Sequence, residues 1–80
     1  MNIQVLLFGI ATDLLETSSL EIEISEDCTV ATFKKELAKL YPKLENINSY
    51  AVAVNEAYAS DQITIHKNDV VAIIPPVSGG

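Results

Sequence analysis

Eighty residues, 49% of them hydrophobic, hold one domain with a small core and no room for a second. Eleven acidic against five basic residues give a formal net charge of −6, which argues against nucleic acid and against anionic membrane surfaces, since both select a basic face. A single cysteine, Cys28, excludes an intramolecular disulfide and suits a reducing, cytoplasmic compartment; no apolar run nears the roughly 20 residues that span a bilayer, and Met1-Asn2-Ile3-Gln4 has no basic n-region, so no signal peptide is expected.

Ile3 to Phe8 reads as a first strand ended near Gly9. The two-residue period places Ile3, Val5 and Leu7 on one face and Gln4, Leu6 and Phe8 on the other. Two large apolar residues on that second face leave two readings: Phe8 is a contact residue, or a loop or strand covers it. A connection follows, with a helical turn at Ala11–Leu15. From Leu20 to Ser25 the alternation is clean: Leu20, Ile22 and Ile24 face in, while Glu21, Glu23 and Ser25 face water. This strand is the hairpin partner of the first.

Thr29 is a good N-cap, and Val30, Phe33, Leu37 and Leu40 keep helical spacing, with Tyr41 and Leu44 extending the stripe. Lys34, Lys35, Glu36 and Lys39 take the opposite side, and Pro42 stops the helix. Thr32 stands where a capping box wants Glu or Gln. Tyr50–Val54 is a third strand, Asn55-Glu56 a turn, Ala57-Tyr58 a short return, and Ile63–Ile65 a further apolar stretch. His66-Lys67-Asn68-Asp69 reads as a tight turn with Asn68 in the left-handed conformation. Val70–Ile74 is the last strand, and its continuous apolar character predicts a central, well-covered position.

Side chains of chemical interest are few. Cys28 precedes a helix N-terminus, which lowers a thiol pKa, but Glu26 and Asp27 beside it act the other way, so it reads as structural. His66, the one histidine, sits in a polar turn without an evident nucleophile or orienting partner. Neither paired-histidine metal spacing nor a glycine-rich phosphate loop occurs, so no metal site is expected.

The tail Pro75-Pro76-Val77-Ser78-Gly79-Gly80 stands apart. Two prolines hold the backbone extended. Two glycines then remove every side chain, and the six residues reach roughly 20 Å. Such a strip enters a channel too tight for residues with a Cβ. A terminal carboxylate, with an ordinary pKa of roughly 3.5, is ionised at neutral pH and is a poor electrophile until it is converted to a mixed anhydride. The expected organisation is a domain over 1–74 and a flexible tail over 75–80.

The order strand, strand, helix, strand, short strand, strand fits an α+β ubiquitin-like β-grasp, a mixed sheet of four to five strands on one main helix. Val5-Leu6-Leu7-Phe8-Gly9, Thr29-Val30, Ala53-Val54-Asn55 with Tyr58, and the run from Asp69 through Pro75-Pro76-Val77-Ser78-Gly79-Gly80 closely resemble the small subunits of molybdopterin synthase. The resemblance covers essentially the whole chain, and its most specific part is the Pro-Pro-Val-Ser-Gly-Gly ending. It implies a sulfur carrier that is not an enzyme alone and holds no permanent cofactor. An E1-like adenylating enzyme would use ATP to activate Gly80, and a sulfur donor protein would leave a thiocarboxylate there. The large synthase subunit would then take the tail, Pro75 to Gly79, and pass sulfur from Gly80 to cyclic pyranopterin monophosphate, forming the molybdopterin dithiolene. The resemblance also implies a partner-binding patch of Phe8, Tyr58 and Ile74.

The chain departs from that family twice. Thr12-Asp13 stands where members often carry Arg-Glu, and Lys67-Asn68-Asp69 replaces the usual Asp-Gly-Asp, a change that asparagine tolerates in a left-handed turn. Other functions on the same fold are a sulfur carrier for thiamine synthesis or tRNA thiolation, a ubiquitin-like protein modifier, and a plain interaction domain with an idle tail.

Overall fold

The computed structural model describes residues 1–46 and 50–76. Its elements in chain order are β1 (Asn2–Leu7), α1 (Ile10–Leu15), β2 (Ser19–Glu23), α2 (Val30–Leu40), a 3-10 helix (Pro42–Asn46), β3 (Ala51–Val54), β4 (Ala57–Tyr58) and β5 (Val70–Ile74). One sheet takes all five strands in the order β2-β1-β5-β3-β4. β1 pairs antiparallel with β2 and parallel with β5; β3 pairs antiparallel with both β5 and β4.

The alternation written in β1 is realised as expected. Ile3, Val5 and Leu7 are buried, together with Ile22, Val52, Val71 and Ile73 from the other strands. Helix α2 closes this inner face with Val30, Phe33 and Leu37, and Ala11, Cys28, Leu44 and Ile65 fill the margins. Each fully buried large side chain contributes about 1.5–3 kcal/mol of transfer free energy. Thr29 caps α2: its Oγ1 accepts from the backbone N–H of Thr32 at 3.3 Å.

Several boundaries and burials differ from the sequence expectation. The second strand runs Ser19–Glu23 rather than Leu20–Ser25, although Ile24 still exchanges two backbone hydrogen bonds with Met1, both at 2.7 Å, in the same register. Tyr50 precedes β3, and Ile63–Ile65 forms no strand. Only an isolated bridge joins Thr64 to Thr29, although Ile65 is fully buried. Leu40, placed on the apolar stripe of the helix, is 57% exposed. The chain turns after Tyr41, and Leu44 in the following 3-10 helix takes the core place instead. β5 is central, as expected, but the chain covers it on one face only. Val71 and Ile73 are buried, whereas Val70, Ala72 and Ile74 stay partly open.

Among the described residues, left-handed backbone occurs at the non-glycine residues Glu16, Asp27, Asn55, Glu56 and Asn68. Asn55 and Glu56, at φ 51° and 70°, make the two-residue β3–β4 hairpin turn that suits right-handed strand twist. Asn68, at φ 72°, takes the position a glycine would fill most easily. Among the described residues, no helix is long and apolar enough to cross a membrane.

Candidate functional site

The sheet face away from α2 is where the side chains of interest gather. Register orders this outer face into rows. Leu6 lies between Ser19 and Ala72, Ala72 beside Ala53, and Ala53 beside Tyr58, so one row crosses all five strands. One row further along, Phe8 follows Leu7, the partner of Ile73, and so lies next to Ile74, which pairs with Ala51. The result is a groove of about 310 Å³ lined by Leu6, Phe8, Ala53, Tyr58, Ala72 and Ile74, with Val70 and Glu56 at its edge. Tyr58 is 77% exposed and Phe8 49% exposed. No loop or strand of the described chain covers Phe8.

The three residues singled out by resemblance, Phe8, Tyr58 and Ile74, therefore share one concavity. Sequence reading missed Leu6, Ala53, Glu56, Val70 and Ala72 as co-lining residues, although strand alternation put Leu6 on the face of Phe8. The signal for Val70 and Ala72 was present, since they alternate with buried Val71 and share the face of Ile74. Ala53 needed the β3–β5 register, which no local pattern contains.

The root of the tail adjoins this groove. β1 and β5 are parallel neighbours, so both end at the same side of the sheet. Gly9, just past β1, has φ 55° and ψ −133°, and a Cβ built there would lie 3.7 Å from Pro75 Cγ. Pro75 is half-buried beside this turn, and Pro76 is exposed. Val77, Ser78, Gly79 and Gly80 lie outside the described residues. Thr12 and Asp13 fall in α1, with Thr12 donating its N–H to the Gly9 carbonyl at 3.1 Å.

A polar clasp holds the other end of β5. Asn55 Oδ1 accepts from the N–H of Val70 at 2.9 Å, its Nδ2 donates to Asp69 Oδ1 at 2.8 Å, and its own N–H donates to the Val70 carbonyl at 2.8 Å. Asp69 Oδ2 accepts from the N–H of His66 at 2.7 Å. The His66 backbone N–H holds the Asp69 carboxyl below the usual carboxylate range; burial opposes it, and the Asn55 amide and the charge of the nearby His66 ring add to the lowering. His66 itself is exposed, and the clasp uses its backbone.

Cys28 is a core residue. Its Sγ donates to the Thr29 carbonyl at 3.4 Å, and burial, with Glu36 adding to it, pushes the thiol above its ordinary value. That is the wrong direction for a thiolate nucleophile at neutral pH.

A mixed five-stranded sheet over one long helix, with an apolar groove near Pro75, defines a ubiquitin-like β-grasp protein. Haloferax volcanii SAMP1 superimposes with a TM-score of 0.88 over all of both chains at 22% identity. A Pyrococcus furiosus protein assigned as molybdopterin converting factor, subunit 1, superimposes at 0.85 with 26% identity, covering 96% of this chain and 99% of its own. An Arabidopsis thaliana molybdopterin synthase sulfur carrier subunit is 37% identical over 81 residues, 100% of this chain and 84% of that protein. The chain belongs to the ThiS family, whose model matches residues 5–80.

Proposed function

We propose that this protein is the sulfur carrier subunit of a molybdopterin synthase. The observation that carries the reading is the apolar groove of Phe8, Tyr58 and Ile74 lying at the root of a tail that ends Gly79-Gly80. A carrier needs a surface for its partners and a thin arm for its cargo, and the two adjoin. Family membership and the full-length likeness to the Arabidopsis subunit support the same reading.

In this reading the Gly80 carboxylate attacks the α-phosphorus of ATP on an E1-like adenylating enzyme, and pyrophosphate leaves. A donor protein supplying sulfur at the sulfide level attacks the acyl carbon and displaces AMP. A thiocarboxylate remains, a soft nucleophile on a side-chain-free arm. On the large synthase subunit its sulfur bonds to a carbon of cyclic pyranopterin monophosphate as a carbon–oxygen bond at that carbon breaks, the oxygen leaving as water or with the opened phosphate, and the dithiolene takes two such transfers. Hydrolysis of the acyl–sulfur bond then returns Gly80 to a carboxylate. Pro75 to Gly79 thread the partner's channel, and the partner supplies catalytic groups and excludes water. Residues 1–74 act as the handle and 75–80 as the arm.

Intact-mass measurement tests this directly. After incubation with ATP, an adenylating enzyme and a sulfide source, one oxygen of the terminal residue should be exchanged for sulfur, and the loaded protein should convert the pyranopterin substrate with the large subunit. An unchanged mass under conditions that load the Arabidopsis relative removes the carrier reading. Isopeptide conjugates on a denaturing gel, without sulfur exchange, would make it a protein modifier. Loading without pyranopterin turnover would point to thiamine synthesis or tRNA thiolation.

A further inference from the structure

The outer face of the sheet is polarised along its strands. At the end where the tail leaves, its rows are Phe8, Ile74 and Ala51, then Leu6, Ala72, Ala53 and Tyr58. At the opposite end the rows are Glu21, Gln4 and Val70, the last at the edge of the groove, then Glu23 and Asn2. At about 3.3 Å per residue, four and six residues of strand put those glutamates roughly 13–20 Å from the Phe8 row. Not one outer-face strand position is a lysine or arginine. Four of the five lysines, Lys34, Lys35, Lys39 and Lys43, lie in α2 or in the 3-10 helix after it. The ion pairs among the described residues, Lys34–Asp61 at 2.9 Å and Lys39–Glu36 at 3.9 Å, are also on the helix side. Among the described residues Glu21 meets only the Asn2 amide, at 3.5 Å, and no lysine pairs with Glu21 or Glu23; the nearest cation at this end is the Met1 ammonium, which donates to the Ile24 carbonyl at 2.7 Å.

We infer that the face recognises a protein surface with an apolar projection at one end and lysine or arginine roughly 13–20 Å away at the other, the cations seating over Glu21 and Glu23. This deepens the function proposed above and rests on it. The groove, at about 310 Å³, takes a side chain or two of the projection. The glutamates decide which way round the partner lies, because a reversed partner would set its cations on apolar surface and its projection on carboxylates. The correct orientation sends the tail past the apolar end, away from the partner's basic patch. Exposed charges of this kind act mainly on encounter, while the groove acts on residence time.

Stopped-flow association with the purified large synthase subunit tests this, from about 20 to about 500 mM salt, a range over which screening shortens from roughly 20 Å to 4 Å. Wild type should associate more slowly as salt rises. The Glu21→Gln/Glu23→Gln protein should associate about 3- to 10-fold more slowly at low salt, with a flatter salt dependence and a dissociation rate within about twofold of wild type. Phe8→Ala should do the reverse, speeding dissociation about tenfold or more at nearly constant association rate. Glu26→Gln/Asp27→Asn removes the same net charge from the exposed turn before α2 and should leave association within about twofold. Equal slowing by both double variants, or no slowing by Glu21→Gln/Glu23→Gln, overturns the inference while the carrier reading stands. Absence of wild-type binding at any salt overturns the carrier reading and the inference with it.

Discussion

Asp69 is the residue whose ionisation the fold uses most directly. Its carboxylate ties the turn before β5 to the β3–β4 turn through the His66 N–H and the Asn55 amide. Because its folded pKa is lowered, the stabilisation is present in full above the unfolded value of roughly 3.9 and is lost as pH falls through the lower folded value. Asp69→Ala should therefore cost about 1 kcal/mol at pH 7, discounted for exposure, and the gap from wild type should close in strong acid. Urea unfolding of both proteins at neutral and at acid pH measures it; a gap that is constant with pH would show that the carboxylate's charge is irrelevant. Gly9 illustrates a different residue-scale constraint. A Cβ would find ordinary contact with Pro75, so the demand for glycine there comes from the backbone angles and not from lack of space.

At the scale of elements, α2 and β5 divide the work. α2 supplies Phe33, with no exposed surface, to the inner face of the sheet. Phe33→Ala should lower unfolding free energy by about 3–5 kcal/mol, a large fraction of what an 80-residue domain possesses. Leu40→Ala, in the same helical stripe but at the exposed end, should stay within about 0.5 kcal/mol. Denaturant midpoints of the two variants check the contrast, and comparable losses would mean that Leu40 is packed after all. β5 is apolar on both faces for two reasons. Val71 and Ile73 build the core, while Ala72 and Ile74 build the groove.

Across the whole molecule, acidic charge lies at one end of the open face and apolar surface at the other, with most lysines on the helix behind. The parallel pairing of β1 with β5 puts the tail root at the apolar end. If the arm works by presenting a terminal acyl group, one added residue after Gly80 should abolish sulfur loading while leaving the unfolding midpoint and large-subunit binding near wild type. Mass spectrometry of the extended protein, checked for trimming, reads this out. Loading of the untrimmed extended chain would defeat the carrier mechanism.

Local order is largely legible in the amino-acid sequence. Period-two alternation names the buried side of β1, the helical stripe names Val30, Phe33 and Leu37, and turn chemistry finds Asn68. Each of these depends on neighbours along the chain. The strand order β2-β1-β5-β3-β4 depends on pairings between segments as far apart as β1 and β5, and hydropathy carries no trace of them. For that reason Leu40 could not be told from Leu37, although alternation along β5 does separate the buried Val71 and Ile73 from the partly open Ile74. Composition dictated that β5 would be apolar throughout. Topology, by placing the long helix on the inner face, left Leu6 and Ala72 of the outer row partly open.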